Sequence, residues 1–245
     1  MLNQNLYYEW NTKSFPFSSD DGNIITCGDF KYGGDLRNVK EQLQAWQHNK
    51  INIKEIYSTD RAFAALADDG NVITWGDNKF GGDSSNVELK NINKIYSNRF
   101  AFAAIDNNNN VITWGDNIYG DNNNIKPLLN NIITIYSNNY AFAAVNINGD
   151  VITWGYSTHG GDSRRVQSKL RKIKKIYSNN FAFAAINNDG DVITWGHSLY
   201  GGNSSNVKDQ LKNIKEIYST DRAFAAINNN GNIITWGNNL DGVIT

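Results

Sequence analysis

The chain has 245 residues, of which 40% are hydrophobic and 19% charged, with a formal net charge of −1 at pH 7. This length can bury a sizeable core, and we interpret 1–245 as a single domain. One cysteine excludes an internal disulfide framework. The near-neutral charge argues against tight, sequence-independent DNA binding by the whole domain. No run reaches transmembrane length and the N-terminus lacks a signal-peptide core, so we expect an intracellular protein without a membrane partner.

One phrase recurs six times along the chain. It begins as Ile-Ile-Thr-Cys-Gly at 24–28 and returns, with tryptophan in place of the cysteine, at 72–76, 111–115, 151–155, 192–196 and 233–237. The tryptophans follow one another at intervals of 39 to 41 residues. A fixed period in this range predicts an array of one supersecondary unit.

Each repeat contains three short runs rich in β-branched and aromatic residues, separated by Asn, Asp, Gly and Ser. This is the pattern of three β-strands. Between the second and third runs, Asp189-Gly190 predicts a tight hairpin, because glycine accepts a positive φ without steric cost. Asn109 takes that glycine position in one repeat, and asparagine also tolerates a left-handed backbone.

A polar segment follows the third run, after a second glycine pair such as Gly201-Gly202. It is either a fourth, outer strand or a short helix. We favour a helix over 204–213, because Asn203 or Ser204 can cap it and Val207 and Leu211 lie on one face.

The first and last repeats are atypical, as expected in a repeat array. In the first repeat Phe15 aligns with Phe63, and Cys27 takes the tryptophan position. The last repeat lacks the outer element, and we expect the N-terminal segment to pack beside it if the repeats close into a ring.

The residues that recur in every repeat indicate a core rather than a site. Small alanines permit close approach of neighbouring sheets, and large aromatic side chains fill the space between them. The recurrent aromatic side chains are Phe63, Phe102, Phe142, Phe183 and Phe224, with Trp75, Trp114, Trp154, Trp195 and Trp236. The alternative is a repeated ligand platform.

The pattern Asp-Gly-x-Val-x-x-Trp-Gly, followed by Gly-Gly, resembles the repeat of the regulator-of-chromosome-condensation β-propellers from about Phe15 to Gly237. The compact repeats are closest to the bacterial version of that family. The resemblance implies an all-β propeller of about six repeats of roughly 40 residues; an open β-repeat array is the alternative. It also implies roles in nucleotide exchange on small GTPases, in chromatin binding, or as a protein-interaction or inhibitor module. None of these activities transfers residue by residue.

No catalytic pattern emerges from the titratable residues. His48, His159 and His197 lack the local spacing of a metal site, and Cys27 has no base beside it in sequence. We therefore predict a protein that is not an enzyme and that uses no cofactor or metal.

Two positions vary between repeats while the core stays constant. One precedes the Ala-Phe-Ala-Ala run and the other follows Trp-Gly. In a propeller both connections lie on the same face, so the variable side chains gather on one rim. Ordinary surface drift is the simpler explanation of this variation; a partner-binding rim is the alternative, since aromatic and arginine residues dominate many interfaces. The candidate partner-binding residues are Arg61, Phe100, Tyr140, Phe181, Arg222, Tyr156 and His197.

A second anomaly is a basic segment over 164–175 that contains no acidic residue. Such a segment can bind phosphate or an acidic protein, although charge runs are usually just solvated. Its cations are Arg164, Arg165, Lys169, Arg171, Lys172, Lys174 and Lys175.

The function predicted from the sequence is non-catalytic recognition of a protein partner. Regulation of a small GTPase is the sharper form of this prediction and rests on the resemblance alone. One alternative is a nucleic-acid-associated protein that uses the basic segment. Another is a multivalent lectin, which exposed and equivalently placed tryptophans would favour.

Overall fold

The computed structural model describes residues 11–18, 24–120 and 125–238. The chain divides into two compact units, Met1–Lys126 and Pro127–Thr245, called here the N-terminal unit and the C-terminal unit. No helix in the described residues is long and apolar enough to cross a membrane.

The N-terminal unit contains two three-stranded antiparallel sheets, β3-β4-β5 and β6-β7-β8, and the pair β1-β2. Sequential strands are neighbours throughout, as short connections require. One α-helix, α1, spans Lys40–His48. The strands are β1 Ser14–Ser18, β2 Ile24–Gly28, β3 Ile53–Ser58, β4 Ala62–Ala67, β5 Val72–Gly76, β6 Ile92–Ser97, β7 Ala101–Asp106 and β8 Val111–Gly115.

The C-terminal unit contains three sheets of the same kind, β9-β10-β11, β12-β13-β14 and β15-β16-β17. Its strands are β9 Ile132–Ser137, β10 Ala141–Asn146, β11 Val151–Gly155, β12 Ile173–Ser178, β13 Ala182–Asn187, β14 Val192–Gly196, β15 Ile214–Ser219, β16 Ala223–Asn228 and β17 Ile233–Gly237.

The sheets share one register. The central strand pairs with the third so that Phe63 stands opposite Trp75, and the same pairing recurs in the other three-stranded sheets. The connecting hairpins turn at a left-handed residue, glycine at Gly190 with φ 78° and asparagine at Asn109 with φ 63°. This confirms the predicted tight hairpin, and it confirms that Asn109 takes the left-handed glycine position in one repeat.

Within each unit, the core lies between consecutive sheets. The recurrent phenylalanines are at most 2% exposed and the recurrent tryptophans at most 4%, and each pair stacks with ring centroids 5.1 to 5.5 Å apart. In one such layer, Ala141 and Ala143 of β10 pack with Phe183 and Trp195 of the next sheet. The recurrent residues are therefore packing residues, and small alanines let the sheets approach.

The outer segments are not fourth strands in the described residues. The segment after β14 forms a 3-10 helix at Ser205–Gln210. The Oδ1 of Asn203 accepts the backbone N–H of Ser205 at 3.0 Å, and Leu211 is 2% exposed. A short helix is present, as predicted, but it is a 3-10 helix of six residues, shorter than 204–213, and Leu211 is its C-cap residue instead of lying on its face.

The first repeat departs from the prediction at one residue. Phe15 stands opposite Cys27, in the predicted register, but Phe15 is 53% exposed and Cys27 is exposed as well. Cys27 therefore does not take over the buried role of the tryptophan. Within each unit, the tryptophan of a later repeat contacts the repeat before it, as Trp75 does through the carbonyl of Gly33. The predicted packing of the N-terminal segment concerns residues 1–10, which lie outside the described residues.

Candidate partner-binding rim

The sheet register brings the two variable positions together at one end of each sheet. Ala62 pairs with Gly76, so the residues just outside them are adjacent, and the backbone N–H of Asp77 donates to the carbonyl of Arg61 at 2.9 Å. The same bond joins His197 to Phe181 at 3.0 Å. Both variable positions of a repeat thus project from the same sheet end.

A buried polar side chain anchors this end of the sheet. Asn179 accepts the backbone N–H groups of Phe181 and Ala182 at 2.9 and 2.8 Å, and its Nδ2 donates to the carbonyl of Tyr200 at 2.6 Å. The same three bonds recur at Asn11, Asn98 and Asn138. The anchor holds the turn before the central strand against the segment after the third strand.

The anchor brings in a third rim position that the sequence analysis missed. This position is the residue immediately before the first outer glycine. It is aromatic or histidine in five repeats: Tyr32, Phe80, Tyr119, His159 and Tyr200. That recurrence is visible in the sequence, although the surrounding Gly, Asn and Ser residues mark the segment only as a turn.

In the N-terminal unit these positions form one connected row of side chains, the N-terminal cluster: Lys13, Tyr32, Arg61, Phe80, Phe100 and Tyr119. The Arg61 guanidinium lies 5.0 Å from the ring of Tyr32 and 4.9 Å from that of Phe80. Phe100 stacks on Tyr119 at 4.2 Å. Arg61 also lies 3.9 Å from the carboxylate of Asp77.

In the C-terminal unit a second row forms, the C-terminal cluster: Tyr140, Tyr156, His159, Phe181, His197, Tyr200 and Arg222. His159 is its centre, with ring centroids 4.8 Å from Tyr140, 5.0 Å from Tyr156 and 5.3 Å from His197. His197 stacks on Tyr200 at 4.4 Å. At the outside, Tyr156 is 37% exposed and Arg222 is exposed.

The C-terminal cluster disfavours a positive charge at its centre. Burial lowers the pKa of the His159 imidazole, and the neighbouring His197 lowers that pKa further. No described group of three or more His, Cys, Asp or Glu side chains could hold a metal ion. The two clusters offer aromatic rings and arginine, which suit contact with another molecule.

The basic segment is partly neutralised. Arg164 forms an ion pair with Asp162 at 2.6 Å, which lowers the pKa of that carboxyl. Lys175 forms one with Glu216 at 2.9 Å. Both acidic partners lie outside 164–175, so the sequence of the segment could not predict these ion pairs. Two of the other cations, Arg165 and Lys169, line a groove on the C-terminal unit. The remaining three, Arg171, Lys172 and Lys174, are exposed and lie outside that groove.

No family model matches the sequence, and no curated protein matches it. Solved structures are similar to it across nearly the whole chain. Human WBSCR16 is 14% identical over 98% of this chain and 78% of its own, with a TM-score of 0.55. Yeast RCC1 (Prp20), in complex with Kap60, is 15% identical over 93% and 68%, with a TM-score of 0.55. The CRINKLY WD40 ectodomain of the Arabidopsis thaliana receptor kinase ACR4 is 13% identical over 95% and 82%, with a TM-score of 0.54.

The fold is that of an RCC1-like β-propeller. The chain is an all-β protein of about six RCC1-like repeats of roughly 40 residues, which confirms the resemblance inferred from the Trp-Gly and Gly-Gly motifs. At identities of 13 to 15%, the likeness establishes the fold and leaves function to the chain's own residues.

Proposed function

We propose that this RCC1-like β-propeller is a non-catalytic binding module that recognises a protein partner through its rim. The observation that carries the proposal is the pair of clusters. In each unit, residues that differ between repeats collect into a connected row of aromatic and cationic side chains. Aromatic residues and arginine are the side chains that most often dominate the binding energy of protein interfaces.

The rim contrasts with the core in a way that supports this role. From the second repeat onward the core repeats Phe and Trp without change, as packing requires. The rim positions differ in size and charge, from Arg61 to Tyr140 to His197. Stacking between neighbours, such as Phe100 on Tyr119, holds the rings in place before a partner arrives. Preorganised side chains lose less conformational entropy on binding.

A small GTPase is the sharper candidate for the partner. Saccharomyces cerevisiae Prp20p, 14% identical over 93% of this chain with a TM-score of 0.53, is described with its binding properties to Gsp1p and histones. Gsp1p is a small GTPase. The shared fold supports this candidate, and the protein-binding proposal does not depend on it.

The two alternatives have less support from the structure. A lectin with one sugar site per repeat needs exposed tryptophans, whereas the recurrent ones are at most 4% exposed. A nucleic-acid role for 164–175 has to rely on fewer free cations than the sequence suggests, because Arg164 and Lys175 are paired.

The test is capture of a partner from a lysate of the source cells by the immobilised protein. The rim variant carries Tyr156→Ser and Arg222→Ser, both on exposed residues of the C-terminal cluster. The control carries Tyr218→Ser, since Tyr218 is 59% exposed and outside both clusters. We expect at least a tenfold loss of the captured protein with the rim variant and no loss with the control. Equal capture by all three proteins contradicts a role for this cluster.

The GTPase form of the proposal needs its own measurement. A purified small GTPase of the same source, loaded with fluorescent GDP, is mixed with the propeller, and nucleotide release is followed. Accelerated release by the wild type, lost in the rim variant, supports exchange activity. Unchanged release removes exchange while leaving protein recognition intact.

A further inference from the structure

An open groove of about 800 Å³ runs along β14 in the C-terminal unit. The strand Val192–Gly196 forms its floor. Arg165, Val166 and Lys169 stand on one wall, and the segment from Asn203 to Lys208 forms the other. The groove shares only His197 with the C-terminal cluster. It is therefore a surface separate from the rim.

The described outer segment after β14 makes no backbone hydrogen bond to that strand, in contrast to the preceding sheet; it contacts β14 through the hydroxyls of Thr194 and Ser204, 3.0 Å apart. At β11 the backbone N–H of Val151 donates to the carbonyl of Leu170 at 3.2 Å, and the Nε2 of Gln167 donates to the carbonyl of Val151 at 2.8 Å. Among the described residues, no hydrogen bond joins the backbone of Val192–Gly196 to the outer segment that follows it.

One substitution accounts for the absence of the second of these bonds. Gln167 and Lys208 occupy the same position, seven residues after Gly160 and Gly201 respectively. The glutamine amide caps the edge strand of its own sheet. Lys208 is exposed and lines the groove instead. The position whose glutamine side chain bonds to β11 therefore holds Lys208, a cation without an ion pair to any described residue, beside β14.

The charge of the groove is positive. Arg165, Lys169 and Lys208 form no ion pair with any described residue. The one acid in the lining, Asp162, is held by Arg164 at 2.6 Å. Arg165 and Lys169 come from the segment before β14 and Lys208 from the segment after it, and Val166 and Val192 add apolar surface to the lining.

We propose that this groove binds an acidic, extended peptide segment of another protein. A five-residue strand offers a floor about 16 Å long, the length of a short extended peptide. Such a peptide can pair with the edge of a sheet through its backbone, while its side chains reach the walls of the groove. Carboxylates would pair with Arg165, Lys169 and Lys208, and apolar side chains would lie over the valines.

The lining favours a peptide over a nucleic acid. Single-stranded nucleic acid needs aromatic faces on which bases stack. Trp195, in the floor, is 4% exposed and stacks on Phe183 at 5.2 Å. The ring of His197 stacks on Tyr200 at 4.4 Å. Both rings of the lining are already engaged, whereas the backbone of β14 makes no hydrogen bond to the described residues of the outer segment that follows it.

The experiment measures fluorescence anisotropy of a labelled peptide, Gly-Glu-Val-Glu-Val-Glu-Gly, titrated with the full chain. Three probes accompany it: the same peptide with Gln for Glu, a peptide of the same composition with the glutamates consecutive, and an eight-residue oligothymidylate. We expect the alternating acidic peptide to bind most tightly, the Gln peptide at least tenfold more weakly, and the oligothymidylate more weakly than either acidic peptide.

Two variants of equal charge change locate the binding. The groove variant carries Arg165→Ser, Lys169→Ser and Lys208→Ser. The control carries Arg171→Ser, Lys172→Asn and Lys174→Ser, all exposed and outside the groove lining. Asparagine replaces Lys172 because φ is +53° there and Asn occupies equivalent positive-φ positions at Asn131 and Asn213. The groove variant should bind at least tenfold more weakly, and the control within twofold of wild type.

Lys208→Gln is a third, milder variant. It removes one cation and supplies the amide that caps the edge at β11, so it should also weaken peptide binding several-fold. Equal losses in the groove variant and the control would overturn the proposal, as would no binding of the acidic peptide at physiological salt. Tighter binding of the oligothymidylate than of the peptide would assign the groove to nucleic acid instead.

Discussion

At the scale of single residues, the recurrent tryptophans are not equivalent in their polar contacts. The indole Nε1 of Trp195 donates to the carbonyl of Gly160 at 3.1 Å, a bond with the preceding repeat that Trp75, Trp114 and Trp236 also make. Nε1 of Trp154 is buried and has no hydrogen-bond partner in the described part of the chain. All five tryptophans are buried in the core, so variants of Trp154 and Trp195 can separate the effect of this hydrogen bond from that of packing.

Trp154→Ala should lower the free energy of unfolding by about 3–5 kcal/mol, the usual cost of truncating a buried aromatic side chain. Trp154 is 1% exposed and stacks on Phe142 at 5.2 Å. The measurement is the midpoint of urea or thermal unfolding, with Tyr218→Ala as the exposed control. A midpoint equal to that of the wild type would mean that this side chain is not part of the core.

Replacing the indole by a smaller ring should separate the two kinds of tryptophan. Trp195→Phe loses a hydrogen bond and leaves the carbonyl of Gly160 without its partner, whereas Trp154→Phe loses no hydrogen bond to a described residue. Trp195→Phe should therefore cost about 1 kcal/mol more than Trp154→Phe. Denaturation of both variants side by side measures this difference. Equal costs would show that the bond to Gly160 contributes nothing.

His159 should make stability depend on pH. Its pKa in the folded protein lies below its ordinary value of 6.5, because of burial and then of His197. The unfolded chain therefore binds more protons just below pH 6.5, and stability falls as pH is lowered through that range. The wild type should lose more melting temperature between pH 7.5 and 5.5 than His159→Phe, which keeps a ring in place. Identical losses would contradict the prediction, since the carboxylates are common to both proteins.

At the scale of elements, the turn before each central strand depends on one buried polar side chain. Asn98, Asn138 and Asn179 each satisfy two backbone N–H groups and one carbonyl. Thr59 performs the same task with a hydroxyl, accepting from Ala62 at 3.0 Å and donating to the carbonyl of Phe80 at 3.1 Å. Two side chains of different size can therefore anchor the same turn.

Asn179→Ala should destabilise the protein by about 1–3 kcal/mol, because buried backbone groups lose their partner. Asn179→Thr should recover a substantial part of that loss, since a hydroxyl at this position reaches both the turn and the outer carbonyl in another repeat. Thermal unfolding of the two variants tests the idea. Equal destabilisation by Ala and Thr would show that the hydrogen bonds do not hold the turn.

At the scale of the whole molecule, the beginning of the chain contributes to the fold through Asn11. Its side chain accepts the backbone N–H groups of Lys13 and Ser14 at 3.1 and 2.9 Å and donates to the carbonyl of Tyr32 at 2.6 Å. These are the bonds that anchor the later sheets. The first repeat is thus built on the same plan as the others, although its aromatic side chain Phe15 is exposed.

Deleting residues 1–12 should destabilise the protein, because the deletion removes Asn11 and the segment predicted to pack beside the last repeat. Asn11→Ala in the full chain removes the anchor alone. A larger loss of melting temperature with the deletion than with Asn11→Ala would support packing of the N-terminal segment. Equal losses would limit its contribution to Asn11, and no loss with either would contradict both roles.

Much of the fold was predictable because its determinants are local and repeat. The interval between tryptophans, the three β-rich runs and the left-handed positions at Gly190 and Asn109 predict the sheets and their register. The pairing of variable positions, such as Arg61 with Asp77, also follows from the register, since it requires only that strands lie antiparallel. The sheets and their register could be predicted without knowledge of long-range contacts, because the same local pattern recurs in every repeat.

The sequence by itself determined the strand order, the Phe–Trp core and the likeness to RCC1-like repeats. Only the tertiary structure decided which charges are free, because Arg164 and Lys175 pair with acids that 164–175 does not contain. It also decided that Tyr200 and its counterparts join the rim, since Asn179 links residues 21 positions apart. Such contacts join residues that are distant in sequence, and they form only when the chain has folded. A sequence pattern predicts contacts only between residues that are also close in sequence or that repeat at a fixed interval.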